Sequence, residues 1–217
     1  MCHRAMQRSI LALVILLSLV CAHPVSADDA APTTAASTVA VRVDVGGNGY
    51  KDAATGLTWE GDRPYTPAAD STGGWGYWGP RSMQVIATTH PVAGTSVSRI
   101  YQTQRVGATG YRFDLPNGDY RVTLRLAELY THITGGGNVY HVICQGQRVL
   151  SNLDVAKRVG KYVADDRTFT TTVTDGVLYI TFAVQKGWAA IAGLDIESLL
   201  LPTTPVATKP TEAAVAS

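Results

Sequence analysis

The chain has 217 residues, with 18 Lys plus Arg against 17 Asp plus Glu and 46% hydrophobic residues. That length can bury one good core, while the near-even charge leaves no basic face and argues against nucleic acid as a partner. Of the three cysteines, Cys2 and Cys21 lie in the first 27 residues, so Cys144 stands alone downstream and excludes an internal disulfide in the mature chain.

The N-terminus carries Arg4 and Arg8, an apolar run over 10–22, and small residues at Val25-Ser26-Ala27. Residues 1–27 therefore read as a secretory signal cut after Ala27. The apolar run falls short of the roughly 20 residues that span a bilayer as a helix. The expectation is a secreted, extracellular or cell-surface protein with no membrane insertion after cleavage. Cys21 invites lipidation, but Val20 stands where that signal needs a small residue. Removing Arg4 and Arg8 from the 18 basic residues leaves 16 against 17 acids, a net charge near −1. Residues 28–38 and 202–217, rich in Ala, Pro, Thr and Ser without periodicity, read as a disordered linker and tail. Between them, 39–201 reads as one domain.

Within that domain Val39, Val41, Val43 and Val45 alternate with Ala40, Arg42 and Asp44, which predicts a first strand. It ends at Gly46-Gly47-Asn48-Gly49, a turn and not a phosphate cradle, since neither Gly-Lys-Ser/Thr nor a helical pattern follows. Residues 50–80 are irregular and aromatic, with Trp59, Tyr65, Trp75, Tyr77 and Trp78; long loops of that kind are often functional. Strands are expected over 100–106 and 111–115, and Asn117-Gly118 predicts a hairpin into the next. In that strand Tyr120, Val122, Leu124 and Leu126 share one face, while Arg121, Thr123 and Arg125 share the other. The same parity continues to Glu128 and Tyr130 at the edge of the loop 131–138. A carboxylate ending a core-facing row is either paired or placed to meet a ligand, so a binding site is expected at this end of the sheet.

Further strands are expected over 139–144 and 147–150 about a Gln145-Gly146 turn, with 152–162 as a connection. Strands 168–173 and 177–184 join at Asp175-Gly176, the strongest hairpin signal in the chain, and 190–199 is the last. No amphipathic helix of 10 or more residues is evident after the signal. Many short strands with frequent turns predict an all-β, single-domain antiparallel β-sandwich of jelly-roll type.

Catalytic patterns are missing. There is no Gly-x-Ser-x-Gly, Cys-x-x-Cys or His-Glu-x-x-His, and His90, His132 and His141 lack ligand spacing, so no metal, cofactor or catalytic residue is expected. Cys144, inside the apolar run at 142–144, reads as a buried inert thiol. Glycoside hydrolysis needs two carboxyls across a sugar. Glu128 could be one, but nothing selects a second among Glu60, Asp62, Asp154, Asp165 and Asp166. Aromatic rings in loops are what the chain supplies, and such rings stack on sugar C–H faces while a few polar groups take the hydroxyls. Trp75, Tyr77 and Trp78 sit among glycines with few apolar neighbours and read as ligand-facing; for Trp59 and Tyr101, core and site readings both stay open.

Five pieces then occur in order: Val43-Asp44-Val45-Gly46-Gly47; Asp52, Gly56, Trp59 and Asp62; Tyr101-Gln102-Thr103-Gln104-Arg105; Pro116-Asn117-Gly118 leading through Tyr120 to Leu126-Ala127-Glu128 and Tyr130; and Leu153-Asp154-Val155 with Gly160. Together they resemble the malectin domain over about 39–199. The resemblance implies a non-catalytic β-sandwich lectin that binds glucose-containing oligosaccharides in a cleft at one sheet end, and bacterial domains of this kind often serve as carbohydrate-binding modules attached to glycosidases. Of the family's binding aromatics, one falls at Trp78 beside Tyr77 and one at Tyr130; Val106 stands where another tyrosine is usual, Thr131 where a phenylalanine is, and Gly187-Trp188 where an aspartate is. The expected site is stacking by Tyr77, Trp78, Tyr130 and Trp188 with hydroxyl contacts from Arg105 and Glu128, unless those last two form an ion pair with each other. The expected partner is a neutral oligo- or polysaccharide, with a cell surface or an enzyme as a possible further partner. A protein- or peptide-recognition module and a glycoside hydrolase are the rival classes.

Overall fold

The computed structural model describes residues 37–68 and 73–199. The expected signal and tail lie outside the described residues, as does the expected linker except for its last two positions. Among the described residues there are fourteen strands: β1 Ser37–Asp44, β2 Gly49–Lys51, β3 Thr58–Gly61, β4 Trp75–Trp78, β5 Gln84–Ala87, β6 Thr103–Val106, β7 Gly110–Asp114, β8 Gly118–Arg125, β9 Val139–Cys144, β10 Gln147–Leu153, β11 Arg167–Val173, β12 Val177–Lys186, β13 Ala190–Ile191 and β14 Gly193–Leu199. A six-stranded sheet runs β11-β8-β14-β1-β3-β2 and a five-stranded sheet runs β10-β9-β12-β7-β4, while β13, β6 and β5 form a small third sheet. Pairing is antiparallel except between β1 and β3.

The alternation read from the sequence places the core. Tyr120, Val122 and Leu124 of β8 are buried together with Val43, Leu194 and Ile196 of the same sheet. They meet Tyr111 and Phe113 of β7, Tyr140 and Val142 of β9, and Leu178 and Ile180 of β12 in one cluster. Each such side chain contributes roughly 1.5 to 3 kcal/mol when fully buried, and the two sheets form the expected all-β sandwich. A second cluster holds Trp59, Val92, Ile100, Tyr101, Ala127, Leu129 and Ala192. Trp59 and Tyr101 are thus core residues, and the Trp59 indole N–H donates to Asp195 at 2.9 Å. Trp75, expected to face a ligand, is instead 3% exposed and stacked on Phe113.

Two of the three turns expected to close hairpins do something else. β7 and β8 lie in different sheets, and so do β11 and β12, so Asn117-Gly118 and Asp175-Gly176 carry the chain across the sandwich. The physical reason is in the backbone: a type I′ hairpin needs φ > 0 at both central residues, and here only the glycines have it, Gly118 at 152° and Gly176 at 80°. Gln145 and Gly146, at 48° and 74°, both satisfy the condition, and β9 and β10 pair as the hairpin expected there. The two crossovers lie side by side, Gly176 N–H donating to Asn117 Oδ1 at 2.8 Å and Leu115 N–H to the Gly176 carbonyl at 2.9 Å.

Three smaller differences follow. The irregular stretch 50–80 contains β3, β4 and all of β2 but its first residue. The expected strand over 100–106 begins as a 3-10 turn, Ser98–Tyr101, before β6. The connection 152–162 contains a short helix, α1 Val155–Val159, whose first turn is capped by Asp154 accepting from Lys157 N–H at 2.9 Å.

Candidate functional site

The crossovers close one end of the sandwich, and the chain direction puts the end of β8, the end of β12 and the start of β7 at the other. Past Arg125 the chain leaves the six-stranded sheet with Leu126 in the first core cluster and Ala127 and Leu129 in the second. This double clamp fixes the segment, and Glu128 between them is 3% exposed. Its carbonyl accepts from Tyr162 N–H at 3.0 Å. One carboxylate oxygen accepts from Tyr130 N–H at 2.9 Å and the other from Asn138 Nδ2 at 3.1 Å. Tyr130 then emerges at 38% exposure.

Trp188 arrives from β12 through Gly187, whose φ is 64°. A Cβ at Gly187 would lie 2.3 Å from both Asn138 Oδ1 and the Gly137 carbonyl, so only glycine permits this approach. Trp188 N–H donates to Asn138 Oδ1 at 3.0 Å. Its ring lies over Gly107, where a Cβ would come within 3.4 Å of Cε3, and is 52% exposed. Gly107 N–H in turn donates to the Ala189 carbonyl at 2.9 Å. Asn138 therefore bridges the two aromatic loops, its amide N–H giving to Glu128 and its oxygen taking from Trp188. Between the rings is a hollow of about 210 Å³ lined by Ser82, Gln84, Val106, Tyr130 and Trp188.

Of the six residues expected from the sequence, Tyr130 and Trp188 share this hollow. Glu128 lies beneath it with both oxygens occupied. Arg105 does not pair with Glu128: its Nε donates to Asp62 at 2.6 Å, and its guanidinium lies 3.5 Å from the centroid of the Tyr77 ring. Asp62 also accepts from Gly46 N–H at 2.8 Å and the Tyr111 hydroxyl at 3.1 Å, so these residues brace the turn after β1. Tyr77 packs edge-on to Tyr111. Trp78, one residue on along β4, points to the opposite face of the five-stranded sheet, edge-on to Tyr179 at 5.9 Å.

Ser82, Gln84 and Asn138 were not expected at a site. Ser82 and Gln84 stand in a stretch with no periodic signal, and Asn138 gains its role only from contacts with distant residues. Val106 stands where the family resemblance would place a tyrosine. Three of the other candidate acids are engaged elsewhere. Asp154 caps α1, Asp165 accepts from Arg158 Nε at 2.9 Å, and Asp166 accepts from the Tyr101 hydroxyl at 2.5 Å. His90 stacks on Tyr162 and His141 Nδ1 accepts from Asn152 N–H. Cys144 is a buried free thiol, as expected, and burial pushes its pKa up to about 11.

Comparison with known proteins gives this arrangement a family. Malectin-B and Malectin-A of Xenopus laevis are 29% and 30% identical over 84 residues, covering 37% of this chain and 30% of each relative. Among solved structures, a Bacteroides uniformis β-glucuronidase is similar with a TM-score of 0.66 and 25% identity, over 74% of this chain and 18% of that one. The ANXUR2 extracellular domain from Arabidopsis thaliana shares the fold, with a TM-score of 0.62 and 15% identity over 76% of this chain and 50% of that one. The chain thus spans less than a third of the length of the malectin relatives. The malectin domain model matches residues 39–197, nearly the whole described region, and the chain belongs to the malectin domain family.

Proposed function

We propose that this domain is a secreted, non-catalytic carbohydrate-binding module that holds a neutral, glucose-containing glycan at the open end of its sandwich. The observation that carries the reading is the pair of exposed rings, Tyr130 and Trp188, held around one small hollow by the buried Glu128 and Asn138. Rings stack on the C–H faces of a pyranose, and Ser82 and Gln84 offer both donors and acceptors to hydroxyls. None of the five lining residues is charged, which suits a neutral ligand. At about 210 Å³ the hollow is smaller than the roughly 300 to 1,000 Å³ of sites that bury a drug-sized ligand, so it takes one sugar residue and leaves the rest of the glycan outside. No acid lines it, and hydrolysis needs two.

In this reading Glu128 positions Tyr130 and Trp188 and does not touch sugar, and Tyr77, Trp78 and Arg105 stay outside the hollow. A glycan array on residues 37–199 identifies the sugar, and calorimetry with that sugar tests the site. Trp188→Ala is expected to weaken binding by about 1 to 3 kcal/mol, the value of apolar ring area covered by ligand, while the thermal midpoint stays nearly unchanged because the ring is half exposed. Equal affinity in variant and parent refutes the assignment.

A further inference from the structure

The outer face of the five-stranded sheet carries a second aromatic group that the end hollow does not use. Trp78 of β4, Arg112 of β7 and Tyr179 of β12 face outward on adjacent strands, with Gly76 opposite Arg112 and Arg112 opposite Tyr179 in the ladder. Tyr65 joins them from the segment that runs along β4, its N–H bonded to the Tyr77 carbonyl at 2.9 Å. These four line a hollow of about 240 Å³. Arg112 is its centre, the guanidinium 4.5 Å from the Tyr65 centroid and 5.6 Å from that of Tyr179. Asp114 accepts from Arg112 Nε at 2.9 Å and from the Tyr65 hydroxyl at 2.8 Å.

Core packing does not account for this group, because Tyr65, Trp78 and Tyr179 belong to neither hydrophobic cluster. Tyr179 is 39% exposed. The Trp78 ring lies against Gly110, where a Cβ would be 2.5 Å from Cη2, so the backbone makes room for the indole on the surface. Two features select the ligand. The Arg112 charge is already matched by Asp114, which favours a neutral ligand over an anion, while the remaining Arg112 N–H groups can donate to hydroxyls and the Tyr65 hydroxyl oxygen can accept from them. The surface is also long. Tyr179 lines a further hollow of about 420 Å³ beside Gln145 and Thr172, toward the crossover end. In the other direction, Gly110 under Trp78 is three residues from Gly107 under Trp188, so their Cα atoms are at most about 11 Å apart.

We infer that this face is a second carbohydrate-contact surface, a track on which an extended neutral polysaccharide lies with its rings against Trp78 and Tyr179 and its hydroxyls on Arg112 and the Tyr65 hydroxyl. The inference rests on the proposed carbohydrate-binding function and extends it to polymers. Two contacts on one chain raise the affinity for a polymer above that for a disaccharide by making the second contact intramolecular.

Affinity electrophoresis in gels cast with soluble starch, mixed-linkage β-glucan or xylan tests it, alongside calorimetry with disaccharides of the same sugars. The parent is expected to be slowed by at least one polymer. Tyr179→Ala and Trp78→Ala are each expected to lose about tenfold in apparent affinity for that polymer with disaccharide affinity unchanged, whereas Trp188→Ala loses disaccharide affinity. Tyr179 is exposed, so its variant stays informative even where Trp78→Ala folds poorly. Parent mobility unaffected by all three polymers, unchanged polymer affinity in Tyr179→Ala, or equal loss of disaccharide affinity in the outer-face variants would overturn the track. Intact disaccharide binding in Trp188→Ala, with polymer affinity lost only in the outer-face variants, would instead remove the end hollow and leave the track standing.

Discussion

Replacing Glu128 by glutamine tests how the end hollow is held. Glu128 accepts two hydrogen bonds, one per oxygen, from Tyr130 N–H and Asn138 Nδ2. Glutamine has the same shape but one acceptor oxygen and an NH2 group. If its oxygen stays on Tyr130 N–H, its NH2 faces the NH2 of Asn138. If Asn138 then turns to offer its oxygen, its own NH2 meets Trp188 N–H, which now donates to that oxygen. Turning the glutamine the other way sets its NH2 against Tyr130 N–H. Every arrangement leaves one donor facing a donor among side chains that are 3% and 5% exposed. One unsatisfied buried donor costs about 1 to 3 kcal/mol, and in a domain of this size each kcal/mol is worth about 2 to 4 °C. Glu128→Gln is therefore expected to melt about 2 to 12 °C below the parent in calorimetry at neutral pH. Sugar affinity, titrated well below both midpoints, should also fall, because the lost bond is one that sets Tyr130 or Trp188. A variant that melts with the parent and binds equally would refute the network.

Two other perturbations probe the frame. Asp62→Ala leaves Arg105, whose side chain is 11% exposed, without its carboxylate and removes the acceptor of Gly46 N–H and the Tyr111 hydroxyl. Breaking such a pair costs about 3 to 5 kcal/mol, so a melting point lower by about 6 to 20 °C is expected; retention within 2 °C would contradict the bracing role. At alkaline pH, burial raises Cys144 from 9.0 to about 11 and Tyr101 from 10.0 to about 12. The folded state then holds protons that the unfolded state releases, so this contribution is complete below pH 9 and is lost as pH rises toward 11 and 12. Urea midpoints should fall steadily between pH 8.5 and 10.5, and a flat profile would contradict the burial of these groups.

The core faces were legible because a period of two is visible in residues such as Val122 and Leu124, whatever they pair with. Strand partnership was not. Asn117-Gly118 and Asp175-Gly176 announce reversals of the chain, but whether a reversal stays in one sheet depends on backbone angles and on where the opposite core face lies. Tyr130 was legible as the end of a buried row, and Trp188 from the family position it occupies. The burial of Trp75 was hidden by its glycine neighbours, which serve the close backbone approach of Tyr65 to Gly76. The parity that separates Tyr77 from Trp78 follows once 75–78 is known to be a strand, and an irregular reading of 50–80 could not supply it.

In the proposed function, the two ends of the sandwich divide the work between closure and recognition. At one end, the crossovers bond to each other through Asn117 and Gly176, which joins the two sheets. At the other end, β8 and β12 deliver Tyr130 and Trp188 on short extensions, and a single asparagine bonds one loop's backbone and the other loop's carboxylate. In the proposed site, rings fixed this way would lose little freedom on meeting a sugar, so more of the contact energy would appear as affinity. Rigid placement also explains why a charged residue is retained in the frame yet kept out of the hollow. Buried with both oxygens occupied, Glu128 orders two loops, while the surface it supports stays neutral for a neutral ligand.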